Sequence, residues 1–222
     1  MWKSIVYKEW IKIRWFLIGF TILGVLGLGY VFLKVQRGFT FNGGTGVWYN
    51  ILFMGMQFFG YFKYIPLLGG LIIGIAQYFP ETVNKRIKLT FHLPLDENKV
   101  LLMMHIFGIV SLLASYLLLL LAFISLSTIY FPSQMIIDSV VSVFPWFLAG
   151  FVAYFFVALI VLEPVWMYRF FYALVAGFFV TIYIKSPVIA AYGPAIPGLS
   201  VLTILLSVAL LFSAYRFRKG EM

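Results

Sequence analysis

The chain has 222 residues, of which 64% are hydrophobic, 20% aromatic and 10% charged, and its mean hydropathy is +1.05. A soluble domain is about 45–50% apolar and about 25% charged, so this chain cannot clothe a water-facing surface, which excludes a soluble enzyme, a soluble binding module and a disordered chain. Sixteen Lys and Arg against seven Asp and Glu give a formal charge of +9, which in a membrane chain first reports orientation, because basic residues collect in cytoplasmic loops. No nucleic acid is needed to explain it. The apolar runs are long and continuous, unlike the roughly ten-residue alternation of a transmembrane barrel, so the expected class is an all-α integral membrane protein. There is no cysteine for a disulfide, thiolate metal site or nucleophile, and two histidines offer little for a metal or haem.

Taken in chain order, residues 1–15 carry Lys3, Lys8, Lys12 and Arg14 among Trp2, Ile5, Val6, Trp10 and Ile13, a pattern that predicts an interfacial amphipathic helix. The first span follows at residues 16–33, roughly 18 residues or ~27 Å of helix. A cleaved signal peptide fits poorly, since the apolar run is long and no A-x-A-like site follows it. Residues 34–50 hold Gly38, Asn42, Gly43, Gly44 and Gly46, which predicts a loop. The apolar stretch 48–79 is interrupted by Lys63, whose burial at mid-membrane would cost about 2.5–3.5 kcal/mol. A split is therefore expected: a short outer helix over 48–62, Lys63 reaching the outer surface, then a descending span over 64–79. Gly70 and Gly74 in that span are spaced for close helix packing.

Residues 80–99 form the most polar stretch of the chain. The third span is expected at 100–129, a loop at 130–139, and the fourth span at 140–162, ended by Glu163-Pro164 because the residue before proline disfavours helix. The fifth span is expected at 170–184 and the sixth at 199–215. Six spans put both termini on one side. That side receives Lys3, Lys8, Lys12, Arg14, Lys85, Arg86, Lys88, Lys99, Arg169, Arg216, Arg218 and Lys219, and the other only Lys34, Arg37, Lys63 and Lys185. The imbalance assigns the first side to the cytoplasm.

Catalytic signatures are missing. The sequence contains no G-x-x-x-x-G-K-[ST], G-x-S-x-G or H-E-x-x-H pattern. His92 and His105 would face opposite sides of one helix and make poor partners for a metal. The spans offer hydroxyls such as Ser111, Ser115, Ser125, Thr181 and Ser207, which more often bond helices together than act in catalysis.

Three features exceed a generic bundle. The 80–99 loop mixes charge with Ile87, Leu89, Phe91 and Leu93, a composition for a short helix that docks on a soluble partner or lies on the membrane. Residues 186–198, apolar with three prolines, read as a re-entrant hairpin near the outer face or as a plain outer loop. Residues 1–15 read as an anchor or as a lever joined to the first span.

Together these features resemble the six-span permease subunits of type-two ABC exporters. The local resemblance is best from Glu81 through Lys85, Arg86 and Leu89 to Leu93-Pro94-Leu95-Asp96-Glu97-Asn98-Lys99, and Tyr7-Lys8-Glu9-Trp10 looks like the family's lysine-glutamate start. The family's glycine-threonine-leucine after the acidic residue is replaced by Lys85-Arg86-Ile87, and its span-three lysine by Met104 or His105. The resemblance implies a single transmembrane domain over 1–222 in a prokaryotic plasma membrane (the inner membrane if Gram-negative), both termini cytoplasmic. It implies an ABC ATPase subunit as partner, carrying ATP and Mg, and a second permease chain, identical or paralogous, with no cofactor or enzymatic activity in this chain. Glu81, Lys85, Arg86, Leu89, Pro94 and Glu97 would couple to the ATPase, and Lys63 and Pro194 would lie at the outer gate. A non-transporting scaffold or assembly factor and a small intramembrane enzyme are the competing expectations.

Overall fold

A computed structural model describes residues 2–82, 97–185 and 188–219, with side chains in those ranges except at residues 2, 42, 97–98 and 209–219. Six helices account for most of the described chain: α1 (Trp2–Leu52), α2 (Tyr64–Thr82), α3 (Glu97–Tyr130), α4 (Ser133–Leu162), α5 (Trp166–Ile184) and α6 (Ile196–Lys219). Short 3-10 turns at Gly60–Lys63 and Gly193–Ala195 precede α2 and α6. No strand occurs among the described residues. Five helical stretches are long and apolar enough to cross a membrane: Lys3–Phe41, Gly60–Thr82, Lys99–Tyr130, Ser133–Leu162 and Trp166–Ile184. The chain is thus an all-helical, multi-pass membrane protein. The described part of the last helix contributes a shorter apolar stretch, Gly193–Val208.

Several boundaries differ from the sequence-based expectation. Residues 2–15 run into the first span with no break, and the loop expected over 34–50 is helical. The glycine-rich chemistry there is used at one residue, Gly43, whose φ of 70° and ψ of 163° divide α1 into two helices; glycine adopts this backbone without a Cβ penalty. The separate helix expected over 48–62 is replaced by the end of α1, a turn with Gly55 at φ 62°, and the 3-10 turn. The break falls earlier than Lys63, at residues 53–59, and Lys63 itself lies inside the continuous helical stretch Gly60–Thr82. The 130–139 loop shrinks to two residues, because the Ser139 and Ser142 hydroxyls donate to the Met135 and Asp138 carbonyls one turn back, at 2.7 Å each. Polar residues that satisfy themselves on their own helix do not end it. At the other end of α4, Glu163 before Pro164 is extended (ψ 125°), as the proline requires.

α4 is the central helix. In its most apolar stretch 78% of residues are buried, against 6% in α5. It packs most extensively on α2, then on α5 and α6. The α2–α4 crossing is a backbone-to-backbone approach: a Cβ on Gly70 would collide with the Gly150 carbonyl, and one on Gly150 with the Tyr116 hydroxyl and the Pro66 carbonyl. The Tyr116 hydroxyl donates to that Pro66 carbonyl at 2.7 Å. Toward the Tyr64 end of α2 the interior fills with rings. Phe58 stacks on Phe131 with centroids 4.4 Å apart, Phe59 lies 5.4 Å from Trp146, and Phe62 meets Phe123 and Phe147 at 6.0 and 5.9 Å.

Candidate functional site

The helices alternate in direction, so the start of α1, the end of α2, the starts of α3 and α5 and the end of α4 share one end of the bundle. The start of α1 lies beside the end of α2, where Lys12 reaches Glu81 and Glu9 reaches Gln77. Phe79 and Thr82 of α2 share a cavity with Trp166 and Arg169 of α5. Thr82 and Glu97, the described residues on either side of segment 83–96, therefore lie at this end. The opposite end holds Lys34, Arg37, Lys63 and Lys185.

Charge is buried at the first end, inside an otherwise apolar bundle. Glu9 is 0% and Glu81 2% exposed, and Lys12 is 13% exposed. The Lys12 ammonium lies 2.5 Å from Oε1 of Glu9 and 2.5 Å from Oε1 of Glu81. Lys8, one turn earlier and partly exposed, lies 2.7 Å from the same Glu81 oxygen. Two ammoniums thus balance two carboxylates. Carboxylates removed from water are tolerated only when paired and hydrogen-bonded, and this spacing meets that need: positions 8, 9 and 12 share one stretch of α1, while 77 and 81 lie one turn apart on α2.

A second layer continues into the core. Gln77, fully buried, donates from Nε2 to Glu9 Oε2 at 3.0 Å and to the Met104 carbonyl at 2.6 Å. Its carbonyl accepts the Tyr154 hydroxyl of α4 at 2.7 Å. With that proton committed, the Tyr78 hydroxyl donates to the Tyr154 oxygen at 3.2 Å, and Nδ1 of His105 lies 3.1 Å from the Tyr78 oxygen. The His105 ring stacks on Tyr154 at 5.6 Å, and its Nε2 is buried without a hydrogen-bond partner among the described residues. Gly108 makes room for the network: a Cβ there would strike the Tyr154 hydroxyl and Gln77 Oε1. One polar network therefore ties α1, α2, α3 and α4 together at the end that holds Thr82 and Glu97. Among the described residues, no group of three His, Cys, Asp or Glu side chains is arranged to hold a metal.

No protein-family model matches this chain, and comparison with curated proteins and with solved structures likewise finds no match. The network's own geometry therefore carries the functional argument.

Of the residues singled out in the sequence, Lys85, Arg86, Leu89 and Pro94 lie outside the described residues. Glu97 begins α3. Glu81 turns inward onto α1. Gly70 faces Gly150, and Gly74 lies against Val157 of α4. Lys63 closes the 3-10 turn before α2, its ammonium 4.9 Å from the Tyr64 ring centroid. Pro194 sits in the 3-10 turn before α6. Sequence reasoning missed Glu9, Lys12, Gln77, Tyr78, His105 and Tyr154 as one constellation. The available signals were Glu9 and Lys12 three apart and Gln77 and Glu81 four apart, each pair on one helix face.

Proposed function

We propose that this chain is the permease subunit of an ATP-driven exporter of the type-two ABC kind, moved by a separate ATPase subunit and paired with a second permease chain. In this reading α6 is the sixth span, both termini and segment 83–96 are cytoplasmic, and residues 186–198 form the outer re-entrant element beside Lys63. ATP and Mg belong to the partner. The observation that carries the reading is the grip on Glu81. The last turn of α2, next to the polar segment that would meet an ATPase, is held by Lys8 and Lys12 of α1 and linked through Glu9 and Gln77 to α3 and Tyr154 of α4. A push on segment 83–96 would reach four helices through short, directional, charge-assisted contacts. Packed helices joined this way respond as rigid bodies rather than by gradual deformation.

The test is association and turnover. Purification of the full chain from its native membrane is expected to bring down an ATPase encoded by a neighbouring gene. Charge reversal at Lys85 and Arg86 is expected to weaken that association. A chain that never binds an ATPase refutes the reading. An ATPase that binds but whose turnover no substrate stimulates would favour a scaffold. Activity on a lipid-like substrate, abolished by one intramembrane substitution without loss of assembly, would favour an intramembrane enzyme.

A further inference from the structure

The end opposite the buried network carries a half-open cavity of about 480 Å³, formed where α1 folds back at Gly43 and the chain returns toward α2. Its walls divide by chemistry. Lys34 and Arg37, three positions apart on one face of α1, supply two cations, and Asn50 and Gln57 add polar lining. Val47, Ile51, Met56 and Phe58 supply an apolar wall. The Lys34 ammonium is steadied 3.9 Å from the Tyr61 ring centroid and 4.9 Å from that of Tyr30. Neither Lys34 nor Arg37 makes an ion pair among the described residues. Asp138 is the one acid at this end of the described chain, and it lines a neighbouring cavity instead.

Depth in the membrane is also marked. Tyr30, Trp48, Tyr49, Tyr61 and Tyr64 around this end are 42–62% exposed. Exposed Trp and Tyr gather at headgroup level. A cavity at that depth, lined by paired cations and polar residues as well as by aliphatic and aromatic carbon, matches a molecule that is anionic at its head and apolar in its tail.

We propose that this cavity binds an anionic phospholipid of the surrounding leaflet, its phosphate held by Lys34 and Arg37 and the start of an acyl chain lying along Val47, Ile51 and Phe58. The site is independent of the buried network and of the transport reading.

The experiment uses the full chain purified in detergent and offered dioleoylphosphatidylglycerol, dioleoylphosphatidylcholine or inorganic phosphate, with bound lipid read by native mass spectrometry. Phosphatidylglycerol is expected to be retained in preference to phosphatidylcholine. Each cation near an anionic surface contributes about fivefold, so the Lys34→Gln/Arg37→Gln double variant is expected to lose about 25-fold in retention. Both side chains are exposed, so the fold is expected to survive their loss. Met56→Trp narrows the cavity without altering either charge and is expected to lower retention too. Lys185→Gln, at the same end but outside the cavity, is expected to leave retention unchanged. Equal retention of the two lipids, or a double variant that still prefers phosphatidylglycerol, overturns the proposal. Unaltered retention by Met56→Trp, or inorganic phosphate that displaces the lipid as readily as free lipid does, would mean that the headgroup alone is recognised and would overturn it as well. A loss with Lys185→Gln equal to that of the double variant would make general charge, not this cavity, the cause.

Discussion

The Lys12 ammonium lies 2.5 Å from the Glu81 carboxylate although 69 residues separate the two in sequence. The same ammonium serves Glu9 at 2.5 Å, so one nearly buried cation compensates two buried carboxylates, with Lys8 assisting from a partly exposed position. Breaking a buried pair by deleting one partner costs more than the pair itself contributes, because the other charge is stranded. Lys12→Met is therefore expected to cost about 3–5 kcal/mol, and Lys8→Met less, about 1 kcal/mol, because Lys8 is partly exposed and Lys12 still pairs Glu81. Adding Glu81→Gln to Lys12→Met should recover part of the loss. Thermal unfolding of the detergent-solubilised chain measures all three. Equal losses for Lys8→Met and Lys12→Met would show that the carboxylates are not sealed from water.

The α2–α4 crossing predicts a graded glycine series. At Gly70 an added methyl would overlap the Gly150 carbonyl; at Gly74 it meets Val157 Cγ1 and Cβ at 2.9 and 3.0 Å and the nearest backbone atom only at 3.4 Å; at Gly177 it meets nothing within 4 Å. Gly70→Ala is expected to cost about 1–3 kcal/mol or more, Gly74→Ala less, and Gly177→Ala is expected to be neutral or stabilising, since alanine favours helix over glycine by about 1 kcal/mol. Melting temperatures of the three variants in one detergent give the order. A Gly70→Ala protein as stable as Gly177→Ala would mean that the two helices do not approach so closely.

Much of the architecture was legible because the bilayer imposes long apolar runs and sets polar punctuation between them. Glu163-Pro164 ended α4 through a local steric rule, whereas the split expected at Lys63 lies earlier, at residues 53–59, because Lys63 sits at the first turn of the stretch Gly60–Thr82, near its end rather than at mid-membrane. The misreadings share one cause. Residues 34–50 and 130–139 look like loops in composition, but Gly38, Gly44 and Gly46 are tolerated within helix and Ser139 bonds back to its own helix. The buried network was hidden for a different reason. Glu9, Lys8 and Lys12 sit in a segment whose charges look like an exposed face, and only the return of α2 with Gln77 and Glu81 turns that face inward. Such pairing is set by tertiary contact, so the i,i+3 and i,i+4 spacings hinted at it without naming the partner.

Tyr154 is expected to be the most costly hydroxyl in the second layer. Its donation to Gln77 Oε1 is the hydrogen bond that satisfies the amide's carbonyl, while both amide protons go to Glu9 and Met104. Tyr154→Phe leaves that buried acceptor without its donor, a loss of about 1–3 kcal/mol. Tyr78→Phe removes one hydroxyl contact to Tyr154 and one to His105 without stranding the Gln77 carbonyl, and is expected to cost about 0.5–1.5 kcal/mol. Chemical or thermal unfolding of the two variants tests the order. Equal costs would mean that water reaches Gln77 when Tyr154 is cut back.

His105 gives the sharpest separation of structural from functional roles. Among the described residues its Nε2 is buried without a hydrogen-bond partner, and its Nδ1 has one contact, to Tyr78 at 3.1 Å, while the Tyr78 hydroxyl also contacts Tyr154. Replacing the ring by one of similar shape removes an unsatisfied nitrogen along with one modest hydrogen bond, and the two effects oppose each other. The stacking against Tyr154 and the contact with Phe155 at 5.1 Å survive in a phenyl ring. His105→Phe is therefore expected to change stability by no more than about 1 kcal/mol, in contrast to Lys12→Met in the adjoining layer. Thermal unfolding of the purified variant checks this. A large destabilisation would show that Nε2 has a partner in the folded protein, and titrating the imidazole by NMR in wild type would then reveal it as a ring proton protected from exchange.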